Sequence, residues 1–178
     1  MGNNILTVII PFLNEKEEVY NTVKSLRDHS LGTPIEILLI DDASDDEYGY
    51  EQVANKFDAK YIRNVKRLGV AASRDLGVSL STTPYIMFLD SHMRFYDNLW
   101  FVRIIDELKK DGRTLLCCQS KGLMMRGNEI VEIAGRPLSY GTYVNLYQDF
   151  RMLECNWIFK TPIEQSQTIN IPCVFGAA

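Results

Sequence analysis

Ile5-Leu-Thr-Val-Ile-Ile-Pro-Phe12 and Ile35-Glu-Ile-Leu-Leu-Ile-Asp-Asp42 decide the fold. Each is a short apolar run rich in β-branched residues, one closed by Pro11 and the other by an acid pair. Runs of this kind are buried on both faces, as strands of a parallel sheet are. Between them, Asn14 can cap a helix whose third position is Glu17, and Val19, Val23 and Leu26 repeat at i, i+4 and i+7. Gly32-Thr-Pro34 breaks that helix before the second strand, Ile35 to Ile40. Strand, helix and strand at this spacing form a crossover unit.

The pattern continues outward. Ser44 with Glu47 reads as a capping box that opens a helix near Tyr48 to Phe57. Ala59 to Arg63 is a third strand, Gly69 to Leu80 a helix, and Pro84 to Leu89 a fourth strand with Asp90 at its end. Asp97 or Asn98 caps an amphipathic helix through Phe101, Ile104, Ile105 and Leu108, stopped by Gly112. Thr114 to Cys118 is predicted as a fifth strand. The expected class is α/β, a largely parallel sheet flanked by helices, in one domain over residues 1–178. After about residue 120, Gly135, Pro137, Gly141, Pro162 and Pro172 interrupt the pattern, leaving strands near Glu129–Ile133 and Thr168–Phe175. The apolar run Ile171 to Ala178 suggests a C-terminally truncated domain, since domain termini are usually solvated.

Composition narrows the function classes. Of 178 residues, 46% are hydrophobic and 24% charged, which is globular rather than disordered. Nineteen basic against twenty-three acidic side chains give a net charge of −4 without a basic block, which argues against tight binding to nucleic acid or anionic lipid. Cys117, Cys118, Cys155 and Cys173 lack the Cys-x-x-Cys spacing of a zinc or redox pair. The adjacent pair reads as buried small hydrophobes. No apolar run approaches the roughly 20 residues that span a bilayer, and no signal peptide opens the chain. A cytoplasmic location is expected, with room for peripheral association at the inner face of the membrane; the oligomeric state is left open.

Ligands of open α/β sheets bind beyond the carboxyl ends of the strands. The polar residues there are Asn14 and Glu15 after strand one, Asp41 and Asp42 after strand two, and Asp90, Ser91 and His92 after strand four. Arg74, on the helix leading into strand four, is the nearest organic cation. Taken singly, each has a plainer reading: Asn14 a helix cap, the Asp pair neighbours of the Ser44 cap, Asp90 a solvated strand end, His92 a loop residue. Together they place three acidic clusters on one rim, where like charges need an offsetting cation or donors.

These residues carry a resemblance. Val8-Ile-Ile-Pro-Phe-Leu-Asn-Glu15, Ile40-Asp-Asp-Ala-Ser-Asp45, Leu68-Gly-Val-Ala-Ala-Ser-Arg-Asp75 and Phe88-Leu-Asp-Ser-His92 resemble family 2 glycosyltransferases of the GT-A, Rossmann-like fold. The resemblance implies donor binding by Pro11, Phe12, Asn14, Glu15, Asp41, Asp42, Arg74, Asp90 and Ser91. It also implies a divalent metal on Asp90 and His92. Asp-Ser-His in place of Asp-x-Asp is similar to the polypeptide N-acetylgalactosaminyltransferase branch, as more loosely is Cys155-Asn-Trp157 to Ala178. In such enzymes the catalytic base lies further along, so none is visible here and little sugar transfer is expected from these residues alone.

The chemistry is consistent with that resemblance. A departing diphosphate gathers negative charge, which a divalent ion neutralises directly. Imidazole favours Mn²⁺ over Mg²⁺, because nitrogen ligands suit transition metals. The donor is expected to be a UDP-sugar; the acceptor, whether glycan, lipid-linked or protein, stays open. Asp42→Ala is expected to weaken UDP binding and leave the fold intact. Two other classes compete. A receiver-type signalling domain also has an acid pair and a lone Asp at strand ends, but it needs a Lys closing a later strand, and Lys121-Gly122 fits poorly. A non-catalytic nucleotide-sugar binding module would share the motifs and lack turnover. A dinucleotide-dependent dehydrogenase fares worse, because no Gly-x-Gly-x-x-Gly follows strand one.

Overall fold

The computed structural model describes residues 4–30, 32–118, 121–127, 129–133, 138–146 and 153–160. The chain divides into two compact units, one ending at Gly112 and the other spanning Arg113–Gly176. In the first, β1 (Leu6–Phe12), α1 (Glu17–Asp28), β2 (Ile35–Asp41), α2 (Tyr50–Lys56), β3 (Lys60–Arg63), α3 (Val70–Leu80), β4 (Tyr85–Phe88) and α4 (Trp100–Lys110) follow in order. The four strands make one parallel sheet in the order β3-β2-β1-β4. Alternating strands and helices thus give the α/β class expected of them.

Side-chain alternation along β1 sorts the core. Leu6, Val8, Ile10 and Phe12 join Val19, Val23 and Leu26 of α1, Tyr50 and Val53 of α2, and Trp100, Phe101 and Ile105 of α4. Ile9, Leu38 and Ile40 point to the other face, where Leu76 of α3 and Phe88 cover them. That second face is closed by a very near approach of helix to strand. A Cβ added at Gly77 would stand 2.4 Å from Cγ2 of Ile9, a fully buried side chain of the central strand. Gly77→Ala should therefore cost about 1–3 kcal/mol, the usual penalty of overpacking, despite alanine's better helix propensity. Chemical denaturation would check it; an unchanged midpoint would mean that α3 can back away.

Pro11 sits inside the sheet, where a proline normally deletes a ladder bond. Here it deletes none. Ile9 accepts the Leu89 N–H at 3.0 Å on the β4 side, while Phe12 accepts the Asp42 N–H at 2.9 Å on the β2 side. By alternation Pro11 faces the β4 side, and the β1–β4 pairing ends at Ile9 with Phe88. Pro11 thus marks where β1 and β4 part.

Several boundaries differ from the sequence reading. Neither Asn14 nor Ser44 caps a helix. α1 begins after Lys16 and α2 after Gly49, both without a side-chain cap. α4 likewise starts after Leu99 without one, although Asp97 does accept the Leu99 N–H at 2.9 Å. Thr114–Cys118 is not a strand. Nor are its cysteines a buried pair: Cys117 is half-buried and Cys118 exposed.

Among its described residues the second unit contains two antiparallel strand pairs, β5 (Leu123–Arg126) with β6 (Glu129–Glu132), and β7 (Leu138–Leu146) with β8 (Leu153–Lys160). The strand expected near Glu129–Ile133 is present as β6. β7 and β8 were not foreseen, because Gly141 reads as a break. The register instead shifts between Ser139 and Thr142, an irregularity that carries the strand past the glycine. The strand expected at Thr168–Phe175 lies outside the described residues.

Candidate functional site

Because β2 and β3 lie on one side of β1 and β4 on the other, the strand order reverses between β1 and β4. The crevice beyond their carboxyl ends is the topological switch point, where open α/β sheets take their ligands. Three sets of contacts build its walls.

The first ties the loop after β1 to the loop after β2. Asn14 donates from Nδ2 to Asp45 at 2.7 Å and accepts the Asp45 N–H at 2.8 Å, while its own N–H reaches Ser44 Oγ at 3.0 Å. The Tyr50 hydroxyl accepts the Lys16 N–H at 2.7 Å and donates to Asp46. Burial and the Asp46 hydrogen bond together push the Tyr50 phenol well above its ordinary value, so it stays a donor. Asn14, Lys16, Ala43 and Glu47 all hold positive φ. Such conformations persist in non-glycine residues only where surrounding contacts impose them. Asn14 is therefore a staple between loops, which is why it cannot also cap α1.

The second set belongs to the acid pair. Asp41, expected to face the donor, is instead completely enclosed. Its Oδ1 accepts the Ser44 N–H at 2.7 Å, and its Oδ2 accepts from the Tyr61 hydroxyl and from Arg63 at 2.6 Å each. Burial pushes its carboxyl up, but these bonds and the Arg63 charge outweigh burial and hold it below the ordinary range. Asp42, also buried, accepts at Oδ1 from Asn64 Nδ2 and the Leu68 N–H, and at Oδ2 from the Gly69 N–H, each at 2.8 Å. Its carboxyl is likewise lowered, against burial, by those donors. Asn64 also reaches Ser73 Oγ at 3.1 Å, so Asp42 fixes both ends of the segment 64–69 and the start of α3. Gly69 meets it at φ 88° and ψ 163°, a region open essentially to glycine alone.

The third set is at the switch point itself. Asp90, after β4, lies 3.4 Å from Arg74 Nη2, and the Arg74 guanidinium stands over the Phe88 ring at 5.4 Å. His92 Nδ1 is 3.7 Å from Glu15 Oε2, joining the loop after β1 to the loop after β4. Glu15, Arg74 and Asp90 are partly exposed and His92 is exposed. Ser91, by contrast, is buried, as are Pro11 and Phe12. Phe12 packs on Tyr50 with ring centroids 4.6 Å apart.

The expected site therefore separates into two classes. Glu15 with His92, and Arg74 with Asp90, form two pairs beyond the carboxyl ends of β1 and β4, with side chains within reach of solvent. Pro11, Phe12, Asp41, Asp42 and Ser91 are buried, and Asn14 ties the loops after β1 and β2 together. Among the described residues no three His, Cys, Asp or Glu side chains form a metal cage. One carboxylate and one imidazole still suit a divalent ion that shares its remaining positions with phosphate oxygens and water.

Residues 7–163 match the sequence profile of Glycosyl transferase family 2. The chain belongs to that family. The receiver-type alternative falls with this match, and with the topology, since receivers run 2-1-3-4-5. Among curated relatives of this family 2 chain, human polypeptide N-acetylgalactosaminyltransferase 10 is 32% identical over 117 residues, 62% of this chain and 19% of the relative. The chain thus spans about a fifth of that protein's length. Among solved structures, S. aureus TarS 1-349 in complex with UDP-GlcNAc superposes with a TM-score of 0.53 at 17% identity, covering 60% of this chain and 31% of that one. The mannosyltransferase PcManGT from Pyrobaculum calidifontis, in complex with GDP-Man and Mn2+, gives 0.53 at 15% identity, covering 61% and 33%. At such identities these likenesses speak for a shared GT-A fold. Among the described residues no helix is long and apolar enough to cross a membrane.

Proposed function

We propose that this family 2 chain is the donor-binding part of a metal-assisted glycosyltransferase that takes a nucleoside diphosphate sugar, with UDP as the preferred nucleotide. The observation that carries the reading is the placement of the Glu15–His92 and Arg74–Asp90 pairs at the switch point, beyond the point where the β1–β4 pairing ends. Asp90 and His92 would hold the divalent ion, Mn²⁺ in preference to Mg²⁺. Such an ion supplies Lewis-acid stabilisation of the charge that gathers on a leaving diphosphate. Arg74, beside Asp90, adds a fixed positive charge at the same place. Glu15 lies 3.7 Å from the imidazole, beside the proposed ion. Asp42 acts at one remove, by holding the backbone from Asn64 to Gly69 in place.

A thermal-shift series with UDP, GDP and ADP, each with Mn²⁺, Mg²⁺ or chelator, tests this reading. UDP with Mn²⁺ should raise the melting temperature most, and chelator should remove most of the gain. A larger shift with GDP would correct the base while leaving the class intact. No nucleotide-dependent shift under any condition would contradict the reading.

A further inference from the structure

His92 is held from behind by a helix that the motifs do not include. Thr22, in the middle of α1, is fully buried. Its hydroxyl donates to the Ser91 carbonyl at 2.7 Å and accepts the Met93 N–H at 3.0 Å. Those two backbone groups flank His92, so a single side-chain oxygen closes a short ring around its peptide units. One turn further along α1, Ser25 Oγ accepts the Phe95 N–H at 2.8 Å. One turn earlier, Glu18 accepts from Arg94 Nη2 at 2.7 Å, while Arg94 Nη1 holds the Met93 carbonyl at 2.9 Å. Glu18, Thr22 and Ser25 stand at i, i+4 and i+7, one stripe of the helix directed at the segment 91–95.

We infer that Thr22, supported by Ser25, is a positioning residue that sets the direction of the His92 imidazole toward the ion shared with Asp90. The inference rests on the metal reading above. A hydroxyl in a buried helix face brings nothing to packing that valine would not, and threonine is a poor helix former. Its contribution is therefore its hydrogen bonds, the two on either side of His92 and a longer one, at 3.4 Å, from Arg94 Nη1. Partners that orient a metal ligand commonly change metal affinity or activity by 10–100-fold when removed.

Thr7 provides the control. It too is fully buried, and its hydroxyl meets Glu36, Thr83 and Ser81 at 3.2, 2.7 and 2.8 Å, at the opposite end of β1. In the 178-residue chain, the factor by which Mn²⁺ strengthens UDP binding would be measured by calorimetry for each variant. Thr22→Val should lower that factor about 10-fold or more and leave metal-free UDP affinity unchanged. Thr22→Ser should restore it. Thr7→Val should lower the melting temperature but keep the factor. If Thr22→Val does not fold, Ser25→Ala decides, and it should reduce the factor while remaining folded. Retention of the factor in Thr22→Val, or in Ser25→Ala where that variant decides, overturns the clamp alone. So does an equal loss in Thr7→Val. No Mn²⁺ effect in the unaltered chain overturns the metal reading, and the clamp with it.

Discussion

Asp90→Ala should lower UDP affinity in the presence of Mn²⁺ by about 10-fold or more, down to the value measured in chelator. The carboxylate is one of only two protein groups proposed to hold the ion, so its loss leaves too few ligands to compete with water. The fold should survive. The Asp90–Arg74 contact is long, at 3.4 Å, and both side chains are about a quarter exposed. A pair of that kind is worth about 0–1 kcal/mol. His92→Asp makes the complementary case: with two carboxylates the site should persist but shift toward Mg²⁺, which prefers oxygen ligands. Full Mn²⁺-dependent binding by Asp90→Ala would mean that the metal, if any, is held elsewhere.

The second large effect is on stability. Asp42→Ala strands the N–H groups of Leu68 and Gly69 and the Asn64 amide, each within 2.8 Å of the lost carboxylate. The Asn64 amide is buried, and a buried donor left unpaired costs about 1–3 kcal/mol; the two N–H groups are only part-buried, with Leu68 itself exposed, and cost less. The part-buried pair will find water as the loop relaxes, so a loss of about 2–3 kcal/mol is expected, or about 5–10 °C in melting temperature. That revises the expectation of an intact fold with weakened UDP binding: the loss of binding should come through the loop. Acid should act on the same groups. The folded-state values of Asp41 and Asp42 lie below the ordinary one. Their stabilisation is therefore fully present above about pH 4 and is lost as pH falls through the lowered values. Asp42→Asn should accordingly flatten the acid limb of the stability profile. A limb as steep as that of the unaltered chain would assign acid sensitivity to other carboxylates.

β1, β2 and β4 were legible because each is a compact apolar run with a polar residue at its carboxyl end. Val19, Val23 and Leu26 likewise fall where the helical period puts them, in the core. Helix starts were not legible. Asn14 and Ser44 have the chemistry of caps, but each is committed to the other's loop, and tertiary bonds outweigh a local preference worth about 1 kcal/mol. Thr114–Cys118 looked like a strand because it is apolar and short, yet pairing depends on a neighbour that sequence does not specify.

The candidate residues stand at the strand ends where the sequence places them, but the partners of each were not legible. Asp41 and Asp42 are adjacent acids of one motif, and nothing local shows that both are closed in by Tyr61, Arg63, Asn64 and the amides of Leu68 and Gly69. Those partners lie about 20 to 27 residues away in the chain. Thr22 gave no signal at all, since a threonine within an amphipathic helix is unremarkable until the segment after β4 is seen beside it.

The most direct test of the central claim is a calorimetric square: UDP titrated into the chain with Mn²⁺ and with chelator, and Mn²⁺ titrated with and without UDP. If Asp90 and His92 share one ion with the diphosphate, each ligand must strengthen the other, and by the same factor, as linkage requires. A factor of about 10 or more, equal in both directions and abolished in His92→Ala, is the predicted result. UDP affinity that is the same with and without Mn²⁺, and indifferent to His92, would contradict it.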